Sequence, residues 1–255
     1  MTLAALRKLI EPGSTGHPAG ASLLVDGTDL PVTFKRNAQA RRIILRMNPK
    51  GEGILLTVPP GTTQREALSF AVSQKAWIAT RLKRTPDTIA FADGIQLPLR
   101  GILHSVCHKQ VPRRTVWCEE AEAPDARPLL YVSGRIEHLP RRLKDWLKAQ
   151  ARGDLTEASA HYAGEMGLKY SRISIRDQSS RWGSCSSTGA LSYSWRLILA
   201  PANVLDYVAA HEVAHLAEMN HGPAFWRLVE RHCPQTKSAR HWLKQHGRDL
   251  HRYGA

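Results

Sequence analysis

The sequence predicts an α+β protein whose strands lie mainly in its first half and whose helices lie mainly in its second half. Three observations support this prediction. Residues 21–58 and 89–135 contain short apolar runs separated by Gly and Pro turns. From residue 140 onward, apolar residues recur at helical spacing. Three further short runs within residues 173–199 predict a small antiparallel sheet among those helices.

We divide the chain into an extension and two domains. A segment rich in Gly, Pro and Ser predicts that residues 1–20 form a flexible N-terminal extension. Residues 21–137 are predicted to form a β-rich domain with one helix, which Thr62 or Thr63 caps at its start. No pattern in this domain indicates catalytic chemistry, so its role is not indicated by the sequence.

Residues 138–255 are predicted to form a helical domain. Its apolar stripes and proline positions define the helices, since proline is well tolerated in a first helical turn. Between the first two helices, a turn at residues 187–189 joins two of the three predicted strands into a hairpin. The predicted helices begin at Pro140, Pro201, Pro223 and about Ser238.

The helix that follows Pro201 carries an H-E-x-x-H pattern formed by His211, Glu212 and His215. Residues four apart on an α-helix project from the same face, roughly 6 Å apart along the axis, so both imidazoles can bind one cation. Glu212 lies beside them, where a carboxylate can take the proton of a metal-bound water. The alternative is two histidines on an ordinary amphipathic helix. It is disfavoured because a third histidine, His221, follows six residues later.

The composition limits the class of protein. The hydrophobic content of 42% and charged content of 23% are typical of a soluble globular protein, and no apolar run approaches the ~20 residues of a membrane span, so we expect no membrane partner. Four widely spaced cysteines argue against a disulfide scaffold or a zinc ribbon and favour the cytoplasm. The net charge of +14 permits weak, non-specific nucleic-acid binding, although a soluble Arg-rich surface is the favoured explanation of that charge.

Four segments carry a resemblance to a known family. They are R-W-G-S-C-S at residues 181–186, W-R-L-I at 195–198, D-Y-V-A-A-H-E-V-A-H-L at 206–216 and M-N-H-G-P-A-F-W at 219–226. Together they resemble the YgjP-like family of zinc hydrolases, which is related to the SprT-like metallopeptidases. The resemblance extends from about Ala21 to the end of the chain, and it implies a zincin-like second domain that binds Zn²⁺.

By matching position, the resemblance implies that His211, His215 and His221 are the metal ligands and that Glu212 is the general base. A catalytic zinc site usually has three protein ligands and one open position. Glu230 stays open as an alternative third ligand, as in gluzincins.

The spacing from the second to the third histidine equals that of metzincins. However, Glu218 stands where metzincins have glycine, and no methionine follows Met219 to form their Met-turn. The sequence therefore excludes metzincin membership.

Candidate substrate-binding residues lie in the R-W-G segment and on the motif helix. Arg181, Trp182 and Gly183 belong to a strand expected beside the cleft, where an extended peptide could pair with the strand edge. Gly183 would allow close approach of a backbone. Tyr207, one turn before His211, could donate a hydrogen bond to an oxyanion, although packing is the favoured interpretation for Trp182 and Tyr207.

These features predict a zinc metallopeptidase that uses a Glu-activated water to cleave a peptide or protein. Three other functions stay open. The first is hydrolysis of a nucleotide phosphoanhydride, as by a nucleoside triphosphate pyrophosphatase, although no P-loop supports it. The second is a DNA-associated SprT-like protease, although the zinc ribbon is missing. The third is a non-catalytic binding module in which zinc is structural. Glu212 argues against this function, because a structural site needs no base at that position. The sequence does not indicate the oligomeric state.

Overall fold

The computed structural model describes residues 21–47, 53–83, 88–121, 123 and 126–254. The predicted N-terminal extension, residues 1–20, lies outside these ranges. Proximity of Cα atoms divides the chain into two compact units, Met1–Asp87 and Thr88–Ala255. The predicted domain boundary, between residues 137 and 138, lies inside the second unit. The observed boundary lies between Asp87 and Thr88.

The first unit contains a four-stranded sheet and two helices. The sheet has the order β1-β2-β4-β3, with β2 and β4 parallel, and its apolar side chains form a buried cluster with Ala67, Ala71 and Ile78. The single predicted helix is broken at Gln74, and Thr63 caps its first part. The elements are β1 (Ala21–Val25), β2 (Thr28–Arg36), β3 (Ile44–Met47), β4 (Ile54–Val58), α1 (Gln64–Ser73) and α2 (Lys75–Lys83).

The second unit begins with a sheet that repeats this arrangement. Its strands are β5 (Gln96–Leu99), β6 (Ile102–His108), β7 (Val116–Glu119) and β8 (Leu129–Val132). The order is β5-β6-β8-β7. As in the first sheet, two antiparallel hairpins are joined by a parallel pair, here β6 and β8. In both units a helix follows the fourth strand.

The rest of the second unit contains the long helix, a three-stranded sheet and three further helices. These elements are α3 (Leu139–Met166), β9 (Arg172–Arg176), β10 (Gly183–Cys185), β11 (Ala190–Ser194), α4 (Ala202–Ala214), α5 (Pro223–His232) and α6 (Thr236–His246). No helix within the described ranges is both long enough and apolar enough to cross a membrane.

The small sheet corrects one prediction, because it is mixed rather than antiparallel. Its order is β10-β11-β9: the hairpin makes β11 antiparallel to β10, and β11 then lies beside β9 and runs parallel to it. The apolar run Trp195–Leu199 does not continue the strand but forms a fully buried 3-10 helix. Periodicity alone does not distinguish these two structures in a short apolar run.

The β5–β6 hairpin explains why residues 88–137 fold with the helices. A Cβ atom at Gly101, in the hairpin turn, would lie 2.9 Å from Cα of Pro201, at the start of α4. In the same turn the Arg100 amide donates to the carbonyl of Ile198 at 2.7 Å, and its side chain pairs with Asp154 of α3 at 2.7 Å. Such contacts join residues far apart in the chain, so they leave no local signal from which a boundary could be predicted.

Candidate metal centre and active site

Three histidines converge at the end of α4. His211 lies in the last turn of this helix, His215 directly follows its last residue, and His221 precedes α5. One ring nitrogen from each histidine lies within 4.8 Å of the other two, and the Nε2 atoms of His211 and His221 are 3.0 Å apart. Tetrahedral zinc bound at ~2.0–2.1 Å from each nitrogen requires separations of ~3.4 Å. The cluster therefore has the donor type and the dimensions of a zinc site.

The end of the motif helix allows the third histidine to reach the first. Helix α4 ends at Ala214, but His215 keeps helical dihedral angles (φ −64°, ψ −15°), so the i, i+4 relationship to His211 is retained. The chain then turns and bends through Met219 and Asn220, and His221 returns to within contact of His211.

The outward ring nitrogens of two histidines have partners. Nδ1 of His215 lies 2.9 Å from the carbonyl oxygen of Glu218, and Nδ1 of His211 lies 3.3 Å from the hydroxyl of Tyr207. Such contacts fix the ring orientation and leave Nε2 to face the centre of the cluster. Burial lowers the pKa of His211 to about 3 and also lowers the pKa of His215, so both rings are neutral, the form that binds metal.

Phe225 forms the floor of the cluster. This fully buried ring lies 4.9, 4.5 and 4.8 Å from the ring centroids of His211, His215 and His221. The next residue, Trp226, lies 5.7 Å from His221. These two aromatic residues therefore pack against the segment that bears His221, and Phe225 contacts the other two histidines as well.

Glu212 is buried between α4 and strand β10. Only 6% of its surface is exposed, and a Cβ atom at Gly183 would lie 2.5 Å from both Cγ and Oε1 of Glu212. Burial raises the pKa of Glu212 to about 7, although the positive charge of Arg181 acts in the opposite direction. A carboxyl group with a pKa near neutral pH is suited to accept and to return a proton.

The other predicted site residues occupy different positions. Arg181 is exposed, and its Nε donates to Oε1 of Gln178 at 3.3 Å. Trp182 is half-buried, with its ring 5.1 Å from that of His251 in the C-terminal 3-10 helix, a packing contact. Glu230, the alternative ligand, is exposed on α5 and is not part of the histidine cluster found among the described residues.

Two features of the site were not predicted from the sequence. The carbonyl group of Glu218 contacts His215, and every residue type carries such a group, so no sequence signal could identify it. Gly183 provides space for Glu212 rather than for a substrate backbone. The sequence signal for this contact is the position of Gly183 in an otherwise strand-like run, because glycine in a strand often marks the close approach of another group.

Comparisons with known proteins identify the family. The family model described as YgjP-like, metallopeptidase domain, matches residues 41–246, a range that includes the three histidines, Glu212 and Gly183. The chain belongs to the YgjP-like family, and its matched part is a metallopeptidase domain.

A similar solved structure is the crystal structure of the metallopeptidase zymogen of Pyrococcus abyssi abylysin. It is 22% identical in sequence, with a TM-score of 0.33, and the likeness covers 35% of this chain and 93% of that chain. Among curated proteins, no sequence matches this chain.

Proposed function

We propose that the protein is a zinc-dependent metallopeptidase in which His211, His215 and His221 hold the ion and Glu212 is the general base. The observation that supports this best is the convergence of three imidazoles, with nitrogens within 4.8 Å of one another, beside a buried carboxylate. Neutral imidazoles are good zinc ligands, and three of them leave one coordination position open. An exclusively structural site would have no need of the adjacent carboxylate.

Glu212 would carry the proton transfers. Zinc, when bound, supplies Lewis-acid chemistry, since it polarises a carbonyl group and lowers the pKa of water. Glu212 accepts a proton from the attacking water and passes it to the amine of the leaving peptide. Because Gly183 leaves room for the carboxylate but little more, the packing restricts Glu212 to a narrow range of positions.

Strand β10 would bind the substrate. It lies at the edge of the three-stranded sheet, so one row of its backbone groups is not used by β11. An extended peptide can pair with such an edge through main-chain hydrogen bonds. Gly183 belongs to this strand and contacts Glu212, so the paired peptide would run beside the carboxylate.

Tyr207 and Arg181 would have supporting roles. With Nε2 of His211 facing the ion, Nδ1–H donates to the hydroxyl oxygen of Tyr207, which makes Tyr207 a positioning residue for this ligand. Arg181 lies close enough to Glu212 to influence its pKa, and a guanidinium there would contact an anionic group of a substrate. The four cysteines are free, which agrees with the cytoplasmic location that we propose.

A second candidate function is hydrolysis of a nucleotide phosphoanhydride. The charge of Arg181 near Glu212 favours it, because guanidinium groups bind phosphate well. A DNA-associated protease is a variant of the first proposal that would also bind nucleic acid.

One screen distinguishes these candidates. The purified, zinc-loaded protein is incubated with a peptide library and, separately, with nucleoside triphosphates, and Glu212→Gln serves as the control. Peptide cleavage that Glu212→Gln abolishes supports the metallopeptidase, and triphosphate cleavage with the same dependence supports the second candidate. Absence of both activities in a zinc-loaded protein would favour a structural zinc module.

A further inference from the structure

The three-stranded sheet has an open face that forms a cavity of about 710 Å³. Arginine and small hydroxyl side chains dominate its lining, and none of the described residues that line it is acidic. The residues on which the argument rests are Arg172, Arg176, Arg181, Ser174, Ser184 and Ser192.

Three serines form a row across this face. In the register of the sheet, Ser192 of β11 is opposite both Ser184 of β10 and Ser174 of β9. Neighbouring strands lie ~4.8 Å apart, so the row spans roughly 10 Å. Neighbouring residues of a strand point to opposite faces. Ser184 lines the cavity, whereas Gly183 contacts Glu212, so the row of serines and the Glu212 carboxylate lie on opposite faces of β10.

Arginines flank the row of serines. Arg172 and Arg176 are exposed at the two ends of β9, about 13 Å apart along the strand, and neither forms an ion pair with a described carboxylate. On the other side, Arg181 donates to Gln178, which in turn donates to the hydroxyl of Ser192 at 3.3 Å. This chain of contacts holds a third positive charge at the edge of the row.

The positive surface continues onto helix α3. A second cavity, of about 530 Å³, shares Arg176 with the first and is also lined by Lys148 and Arg152. Its acidic lining residue, Asp177, pairs with Arg196 at 2.9 Å and with Lys144 at 3.5 Å, so its charge is already compensated.

We propose that this face binds the phosphate backbone of a single-stranded nucleic acid. Arginine, serine and glutamine side chains are typical partners of phosphate oxygens. A face of roughly 13 by 10 Å accommodates one backbone, and none of the described residues that line it is an aromatic residue on which a base could stack. Binding is therefore independent of sequence and sensitive to salt. Arg172 and Arg176, which carry the proposal, lie on β9 and have no part in the proposed hydrolysis, so the proposal does not depend on the proposed function.

Fluorescence anisotropy with a labelled single-stranded DNA of about 20 nucleotides tests the proposal, with the salt concentration varied. The test variant is Arg172→Glu/Arg176→Glu. We expect its Kd to rise by about 10-fold or more, and the slope of log K against log salt to fall by about 1.4, since each phosphate contact contributes ~0.7 for a single strand. Arg135→Glu/Arg141→Glu is the matched control, because it makes the same change in net charge at exposed positions outside both cavities. It should leave the slope unchanged.

Equal weakening by both variants would mean that net charge alone attracts the DNA, and would overturn the proposal. Failure of the wild-type protein to bind would do the same. Displacement of the DNA by a poly-glutamate peptide at equal charge concentration would assign the face to acidic peptides instead. If the glutamate variant does not fold, as judged by thermal unfolding, Arg172→Gln/Arg176→Gln replaces it, with the same expected loss of slope.

Discussion

Gly183 and Glu212 are in direct contact, because the carboxylate of Glu212 occupies the space that a side chain at position 183 would fill. A Cβ atom at Gly183 would lie 2.5 Å from Cγ and Oε1 of Glu212. No real Cβ contact is so short, so a side chain at position 183 would force α4 or β10, or the carboxylate itself, to move. The small sheet thereby determines where the proposed general base can be.

We therefore predict that Gly183→Ala impairs hydrolysis while zinc remains bound. Misplacement of a catalytic group by about 1 Å costs ~10²-fold in rate, and overpacking costs about 1–3 kcal/mol of stability. Gly164→Ala is the matched control, because a Cβ atom at this position of α3 meets nothing within 4 Å. Activity of the Gly183 variant at the wild-type level would show that Glu212 does not require this space.

The second prediction separates catalysis from metal binding. In Glu212→Gln the amide is nearly isosteric with the carboxylate but cannot accept a proton. We expect unchanged zinc content and thermal stability, with hydrolysis reduced by at least about 10²-fold. Metal analysis, calorimetry and single-substrate kinetics provide the three measurements. Loss of zinc in this variant would assign Glu212 a structural role.

The third prediction concerns the choice of third ligand. The Nε2 atom of His221 lies 3.0 Å from the Nε2 atom of His211. Glu230, in contrast, is exposed and is not part of the cluster found among the described residues. His221→Ala should lower zinc affinity by orders of magnitude, and Glu230→Ala should leave it unchanged. Competition with a chelator of known affinity measures both. The reverse pattern would identify Glu230 as the ligand.

Tyr207 provides a fourth prediction. Its hydroxyl contacts Nδ1 of His211 at 3.3 Å, so Tyr207→Phe removes a partner of the proposed ligand without a change in packing. Removal of such a partner typically lowers metal affinity by about 10- to 100-fold. If the hydroxyl served an oxyanion instead, zinc affinity would be retained and only kcat would fall.

The fifth prediction concerns stability and pH. Asp177 accepts a hydrogen bond from the buried guanidinium of Arg196 at 2.9 Å. Burial raises the pKa of Asp177, but the charges of Arg196 and Lys144 and the hydrogen bonds to the carboxylate together outweigh this effect, and the net pKa is lowered. The ionised carboxylate therefore stabilises the fold above about pH 4, and this contribution is lost as the pH falls through the lowered pKa.

Asp177→Asn should consequently be less stable than the wild-type protein at pH 7, by about 1–2 kcal/mol, since Asp177 is partly exposed. The difference should narrow as the pH falls below about 4. Urea unfolding at a series of pH values measures it. A difference that does not depend on pH would show that the ion pair makes no net contribution.

Local patterns determined much of the fold and two of the three histidines of the metal cluster. His211 and His215 could be assigned to one site because both lie on a single helix, whose geometry depends only on neighbouring residues. The same holds for the capping residue Thr63 and for the hairpin turn at residues 187–189. The α+β class and the family could likewise be predicted, since they depend on periodicity and on contiguous motifs.

Only the tertiary structure decided the remaining features, because each joins residues that are distant in the chain. The order of strands in the small sheet sets β11 parallel to β9, which no local pattern indicates. The packing of Gly101 on Pro201 places the second sheet with the helices of the second unit. The return of the chain after His215 sets His221, and not Glu230, among the other histidines. The contact of Gly183 with Glu212 likewise exists only once β10 lies against α4, since the distance between two segments depends on every side chain packed between and around them.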